Sequence, residues 1–231
     1  MVQIVFSWQL LRLVERKGLS VLGLVPTGQR LKQFSIGFLI ATFCCAFYFL
    51  LLAKLVQTNW VVNSQITGKI ILEGMGWNIQ SVLFEELLFR GALLYLLMSR
   101  LGVKKGCILS AVCFGIYHWF SFEAIGNPVN MLMVFVMTGV MGLVLAFSFA
   151  KTESLYLPIA LHLGWNATNI SVFSNGPLGP QLLMTNASAP TVPLGNFLSI
   201  LMLLLQNFSL PLLAYWYLKV LERKAILLRT A

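Results

Sequence analysis

Charged side chains are scarce in this chain, at 10% of its 231 residues, whereas a soluble domain carries about 25%. Hydrophobic residues make up 58% of the sequence, and the mean hydropathy is +0.85. This composition excludes an ordinary soluble domain and is typical of an integral membrane protein.

Aspartate is absent, and the chain has only seven Glu and two His. A Ser–His–Asp triad is therefore impossible, and the sequence contains no G-x-S-x-G motif. The four cysteines lie in apolar segments without C-x-x-C spacing, which predicts small core residues and neither a disulfide framework nor a zinc ribbon. Few side chains are left to carry chemistry.

The net charge of +9 does not indicate a nucleic-acid partner. Lys and Arg cluster between the apolar runs, which is the arrangement that orients a protein in a lipid bilayer. At the N-terminus the positive charges follow the apolar part, the reverse of a signal peptide. Residues 1–33 are therefore predicted to form an amphipathic, basic segment with a helix at the membrane interface.

Six apolar runs are long enough to be candidate membrane spans. They cover about residues 34–56, 78–99, 104–121, 129–150, 154–174 and 196–221. The predicted fold is all-α, a polytopic transmembrane helix bundle of about six spans plus the N-terminal interfacial helix. The membrane-embedded domain is expected at 34–222, and a basic tail at 223–231. With six spans, the basic clusters all fall on one side of the membrane, which predicts that both termini are cytoplasmic.

The second apolar run carries three formal charges, Glu85, Glu86 and Arg90. One ionisable side chain at the centre of a span costs about 2.5–3.5 kcal/mol, so these groups must be paired and must face the inside of the bundle. Glu86 and Arg90 are four residues apart, on one helix face, and are predicted to form an ion pair. Glu85 is rotated by roughly 100° and needs a partner on another helix.

Both histidines lie in other apolar runs, where they are candidates for that partner. His118 ends the sequence "FGIYH", and His162 lies one turn before Asn166 in "HLGWN". Helices pack favourably when such polar patches face each other. Each patch alone is compatible with a structural role or a transport path, whereas all of them together favour a reaction centre.

A carboxylate beside a histidine in a dry site suits the activation of water, and a second His with an amide suits the stabilisation of an oxyanion. That set serves peptide-bond hydrolysis. Two His and one Glu are also a known catalytic zinc set. Because the usual H-E-x-x-H motif is absent, a metal site is the weaker interpretation. No cofactor is predicted, and zinc stays open as an alternative.

At these residues the chain resembles the CAAX-protease and bacteriocin-processing (CPBP) family, also called the Abi or type II CAAX prenyl endopeptidase (CAAX prenyl protease 2) family. The family motifs E-E-x-x-x-R, F-x-x-x-H and H-x-x-x-N correspond to "EELLFR" at 85–90, "FGIYH" at 114–118 and "HLGWN" at 162–166. They occur in the family's order and inside predicted spans.

The resemblance implies a glutamate-dependent membrane endopeptidase, a hydrolase often labelled a metalloprotease. Carried over by position, Glu85 is the base that activates water and His118 holds or shares that water. His162 and Asn166 form the oxyanion site, and Glu86 and Arg90 shape and charge-balance the pocket.

The expected partners are a membrane-associated peptide or protein substrate and the lipid bilayer. The resemblance points to a multi-pass protein of a bacterial inner membrane or a plastid (thylakoid) membrane. It leaves open whether the substrate is prenylated and to which side the site opens. Two alternatives remain: a non-catalytic immunity or scaffold protein that keeps the fold, and a small proton-coupled transporter.

Overall fold

The computed structural model describes residues 2–186 and 191–230, with side chains as far as Lys224. The α-helices of this part are α1 (Val2–Glu15), α2 (Gly28–Leu55), α3 (Gly68–Phe89), α4 (Ala92–Leu101), α5 (Val103–Ser121), α6 (Pro128–Thr152), α7 (Tyr156–Asn166) and α8 (Asn196–Thr230). A 3₁₀ helix, Leu19–Leu22, precedes α2, and a π-helix, Ala167–Val172, continues α7. The predicted helical bundle is therefore confirmed, with a small sheet added to it.

Three helices of the described residues are long and apolar enough to cross a membrane: α2, α6 and the Asn196–Lys224 part of α8. Their outer faces remain uncovered by protein; on α2, for example, Leu39, Phe43 and Leu50 are 64%, 63% and 56% exposed. Lipid is the environment that suits such faces, as it does in a membrane protein. The count of six spans is not confirmed.

The second predicted span, 78–99, is two helices instead of one. The α3 helix ends at Phe89 and α4 begins at Ala92, with Arg90 and Gly91 between them. At Gly91 a Cβ atom would lie 2.2 Å from the carbonyl oxygen of Leu87, so only glycine fits the break. Hydrophobic periodicity continues through the break and gave no sign of it.

Two short strands join segments that lie between the candidate spans. Strand β1 (Trp60–Val62) lies in the polar segment 57–77, and β2 (Leu183–Thr185) lies in 174–195. They pair antiparallel with Trp60 opposite Thr185 and Val62 opposite Leu183. Strands of three residues, more than 100 positions apart, leave no local pattern that sequence reasoning can use.

The ends of the helices form two groups, one at each end of the bundle. At the basic end, Arg100 of α4 pairs with Glu15 of α1 at 3.2 Å, and Lys151 of α6 pairs with Glu222 of α8 at 2.7 Å. The β1–β2 pair lies at the other end, between the end of α2 and the start of α8. This grouping agrees with the prediction that the basic clusters share one side.

Glycines bring α2 and α7 into close contact. A Cβ atom at Gly164 of α7 would lie 2.5 Å from the carbonyl oxygen of Phe38, and one at Gly37 of α2 would lie 2.7 Å from the Leu157 side chain. Small residues permit such close approach of helices, as is common in membrane proteins. This contact fixes α7, which carries His162, in the middle of the bundle.

The two ends of the chain extend the bundle. In the predicted segment 1–33, α1 packs on α3 and α4 through Ser7 and Leu11, both buried. The α2 helix begins at Gly28, before the predicted domain boundary at 34. The α8 helix continues through the predicted tail as far as Thr230, while Ala231 and the side chains from 225 onwards lie outside the described residues.

A pair of glycine substitutions tests the contact between α2 and α7. Alanine favours a helix over glycine by about 1 kcal/mol, but at Gly164 its methyl group would strike backbone. We expect Gly164→Ala to destabilise the protein by roughly 1–3 kcal/mol through overpacking, measured as a lower midpoint of thermal unfolding in detergent.

The matched control is Gly139→Ala in α6, where the nearest atom to an added Cβ lies at 3.8 Å, an ordinary contact. This variant is expected to keep or raise the midpoint. Equal midpoints for the two variants would contradict the close approach of the helices.

Candidate active site

A buried ion pair lies at the end of α3. Arg90 Nη1 donates to Glu86 Oε1 at 3.1 Å, and both side chains are 0% exposed. The predicted i, i+4 pair is thus confirmed. Since an unpaired buried charge is costly, each of the two groups requires the other.

Arg90 also ties α3 to α5 and α6. Its Nη2 donates to the Gly142 carbonyl oxygen at 3.2 Å, and its guanidinium carbon lies 4.0 Å from the ring centroid of Phe114. A Cβ atom at Gly142 would lie 3.2 Å from Nη2 and 2.9 Å from the Phe114 ring. Glycine is therefore needed here, and sequence reasoning missed it; a glycine inside a long apolar span was the available signal.

Glu86 has a second partner, His162 of α7. The Nδ1 atom of the ring lies 2.7 Å from Glu86 Oε1, and His162 is 6% exposed. Because a carboxylate only accepts hydrogen bonds, Nδ1 is the donor. The Nε2 atom is thereby turned away from Glu86, and the contact connects α7 to the Glu86–Arg90 pair. Sequence reasoning did not predict it.

His118 is oriented by its own helix. Its Nδ1 lies 2.8 Å from the carbonyl oxygen of Phe114, one turn earlier in α5. A carbonyl oxygen only accepts, so Nδ1 carries the hydrogen and the Nε2 of the neutral ring is left as an acceptor. The Phe114 ring packs against His118, with centroids 4.4 Å apart, and this restricts the imidazole further.

The imidazole rings of both histidines face Glu85. Its Oε2 atom lies 3.7 Å from His118 Nε2 and 3.9 Å from His162 Nε2. Both distances are too long for direct hydrogen bonds, and among the described residues this buried oxygen has no hydrogen-bond partner. Three polar atoms thus converge, within reach of one shared small molecule such as water.

Asn166 is the last residue of α7, one turn after His162, and it is half-buried. The structure brings the five other predicted site residues together. In the described part of the chain, no hydrogen bond joins Asn166 to any of them. The chain continues from Asn166 into the π-helix Ala167–Val172. Short π-helical segments occur frequently at functional sites because they re-aim side chains.

Glu85, His118 and His162 are residue types that bind zinc. In the described part of the chain, however, no three His, Cys, Asp or Glu side chains are grouped closely enough to hold a metal ion. The spacing of these three side chains therefore does not match a metal-ligand set.

Comparison with known proteins agrees with the motifs. A family model described as type II CAAX prenyl endopeptidase Rce1-like matches residues 67–168. This confirms the resemblance read from the sequence and supports a CAAX-type protease in a membrane. The matched range runs from the start of α3 into the π-helix and includes all six predicted site residues. No curated protein and no solved structure gave a significant match.

Two substitutions test the buried pair. Arg90→Met leaves the Glu86 carboxylate without its cation and should destabilise the protein by roughly 3–5 kcal/mol. The double variant Glu86→Gln/Arg90→Met removes both charges and should recover part of this loss. Thermal unfolding in detergent measures both effects.

Arg100→Met serves as the control, because it breaks the pair with Glu15 in which the Arg100 side chain is 64% exposed. Such surface pairs contribute about 0–1 kcal/mol. A loss in Arg90→Met no greater than that of this control would contradict the burial of an essential pair.

Proposed function

We propose that the chain is an intramembrane endopeptidase that hydrolyses a peptide bond of a membrane-associated protein or peptide. The observation that carries the proposal is the convergence of Glu85 Oε2 with the Nε2 atoms of both histidines. The family match over residues 67–168 supports the reaction class.

Glu85 is the base that activates water. A water held between Glu85 Oε2 and His118 Nε2 donates one hydrogen to each of these acceptors, so that a lone pair of its oxygen is directed away from them. Glu86 is less suited to this task, because its Oε1 atom binds Arg90 and His162 and its side chain is 0% exposed. The two adjacent glutamates thus have different roles.

The hydrolysis proceeds by general acid–base catalysis. Glu85 takes a proton from water as the water oxygen bonds to the carbonyl carbon of the substrate. The tetrahedral intermediate collapses when the C–N bond breaks, and Glu85 returns the proton to the departing amine nitrogen. One water is consumed, and the products are a carboxylic acid and an amine, which become a carboxylate and an ammonium group when the acid proton passes to the amine.

His162 and Asn166 stabilise the negative oxygen of the intermediate. The Asn166 amide supplies one donor from the end of α7. His162 donates from Nε2 when the ring carries a second proton, and Glu86, at 2.7 Å from Nδ1, is the counter-charge for that form. Groups placed in advance around a developing oxyanion are effective because they need no reorganisation.

The membrane arrangement that suits this activity has six crossings with both termini in the cytoplasm. It is supported by the basic residues that meet at one end of the bundle and by the three long apolar helices. Within this arrangement the site lies in the half of the bundle nearer β1 and β2. A bacterial inner membrane or a plastid membrane is the proposed location.

The substrate class can be tested without a known natural substrate. Purified protein in lipid vesicles is offered two probes, a prenylated peptide that ends in a CAAX sequence and its unprenylated twin. We expect cleavage of the prenylated peptide if the family description extends to the substrate. Cleavage of both peptides at equal rates would indicate that the enzyme does not recognise the prenyl group.

Glu85→Gln is the sharpest test of the reaction, because it keeps the shape of the side chain and removes the base. We expect a loss of kcat of at least 100-fold, in keeping with the usual contribution of general acid–base groups, about 10²–10⁴. His118→Ala should lose a comparable factor. Both variants should accumulate in the membrane as the parent does.

Glu73→Gln is the control, since Glu73 lies on the same helix but is 67% exposed and pairs with Lys69; its activity should equal that of the parent. Full biological activity in Glu85→Gln would instead favour a non-catalytic immunity or scaffold protein. Proton-coupled flux in vesicles without any cleavage would favour a transporter.

Asn166→Ala tests the oxyanion site separately. Loss of one such donor typically lowers kcat by about 10²–10³, whereas KM should change little because the interaction forms mainly in the transition state. A raised KM with unchanged kcat would place Asn166 in substrate binding.

A further inference from the structure

A polar column runs along α3 from the loops towards Glu85. Gly74, Asn78, Ser81 and Glu85 follow one another at intervals of four, three and four residues, so they share one face of the helix. Asn78 precedes Glu85 by seven residues, which is about 10 Å along the helix axis. Asn78 is 0% exposed although it is polar.

Asn78 has an unused acceptor. Its Nδ2 atom donates both hydrogens, one to the Gly74 carbonyl oxygen at 2.9 Å and one to Ser171 Oγ at 2.8 Å. The Oδ1 atom is buried and accepts no hydrogen bond from any residue that the structure describes. A buried acceptor without a donor is costly, so a small donor that fits the site is stabilising.

Gln181 lies at the end of the column nearer the loops. A Cβ atom at Gly74 would lie 2.6 Å from Gln181 Oε1 and 3.3 Å from Ser171 Oγ, so glycine makes room for both polar groups. Gln181 is buried, and its Nε2 donates to the Pro180 carbonyl oxygen at 3.2 Å. The loop that carries it begins beside Asn175, which is exposed and bonded to Asn169.

Ser81 lies at the end of the column nearer Glu85, which is called its lower end below. It lies one turn after Asn78 and one turn before Glu85, on the same face of the helix. On the opposite wall, Ser171 is supplied by the π-helix Ala167–Val172 that follows the Asn166 position. The polar groups therefore extend from the loops to the proposed base.

We propose that this column is a water relay that supplies the hydrolytic water to Glu85, with one ordered water bound at Asn78 Oδ1. The proposal rests on the proposed hydrolase function, since each turnover consumes one water in surroundings that are otherwise apolar. Buried waters typically bind two to four polar groups, and Asn78, Ser81 and Ser171 are such groups. A substrate strand does not fit, because Asn78 is completely covered by protein.

The first experiment measures water at the lower end and needs no proteolysis. In a Cys113→Ala background, which removes the native cysteine that is not buried, Ser81→Cys is reacted with a water-soluble methanethiosulfonate. Phe84→Cys is the comparison, because Phe84 lies on the exposed apolar face of the same helix. Thiols react as thiolates, which require water.

We expect Ser81→Cys to react at least ten times faster than Phe84→Cys. Adding Asn78→Leu should lower the rate for Ser81→Cys about ten-fold, whereas Asn78→Ser, which keeps a polar group and leaves room for water, should preserve it. Equal rates at positions 81 and 84, or no response to Asn78→Leu, would overturn the relay whether or not the protein cleaves peptides.

The second experiment connects the relay to the reaction. Asn78→Leu should lower kcat about ten-fold with little change in KM, and Asn78→Ser should recover most of the loss. Asn207→Leu is the matched control, because Asn207 also bonds the carbonyl one turn earlier, that of Leu203, but in α8 away from the site. Slower labelling with unchanged kcat would mean that the column holds water but does not supply the reaction, and the proposal would be wrong.

Discussion

One buried carboxylate, Glu86, is the constraint on which the rest of the site depends. Its Oε1 atom binds Arg90 of its own helix and His162 of α7. A charge at this depth is tolerated only when it is paired and hydrogen-bonded. Meeting that requirement fixes the rotamers of Arg90 and His162 and holds α3 against α7. Without the contacts of Glu86, nothing would hold the two imidazoles so that they face the same atom.

The pair also dictates what surrounds it. Arg90 lies over the ring of Phe114 and donates to the Gly142 carbonyl, so three helices meet at one guanidinium. Phe114 in turn orients His118 through its carbonyl oxygen and its ring. Two adjacent glutamates are thereby separated in role. Glu86 satisfies the charge of Arg90, while the Oε2 atom of Glu85 faces the Nε2 atoms of both histidines.

Much of the helical content followed from the length and apolarity of the runs. The α2, α5, α6 and α8 helices lie close to the predicted spans, because a long apolar run has few other stable forms. The break at Gly91 and the pairing of β1 with β2 escaped prediction. Both depend on contacts that hydrophobic periodicity does not record: a close approach to the Leu87 carbonyl, and two short segments that meet only after the bundle has formed.

By itself, the sequence predicted the candidate residues for the chemistry and determined the Glu86–Arg90 pair, since i, i+4 spacing on a helix is a local property. It also determined that Glu85 needs a partner elsewhere. Only the tertiary structure decided which histidine nitrogen faces which carboxylate, the need for glycine at position 142, and the burial of Asn78 in line with Glu85. These features depend on how neighbouring helices are rotated about their axes, and that rotation is set by close packing between residues far apart in the chain.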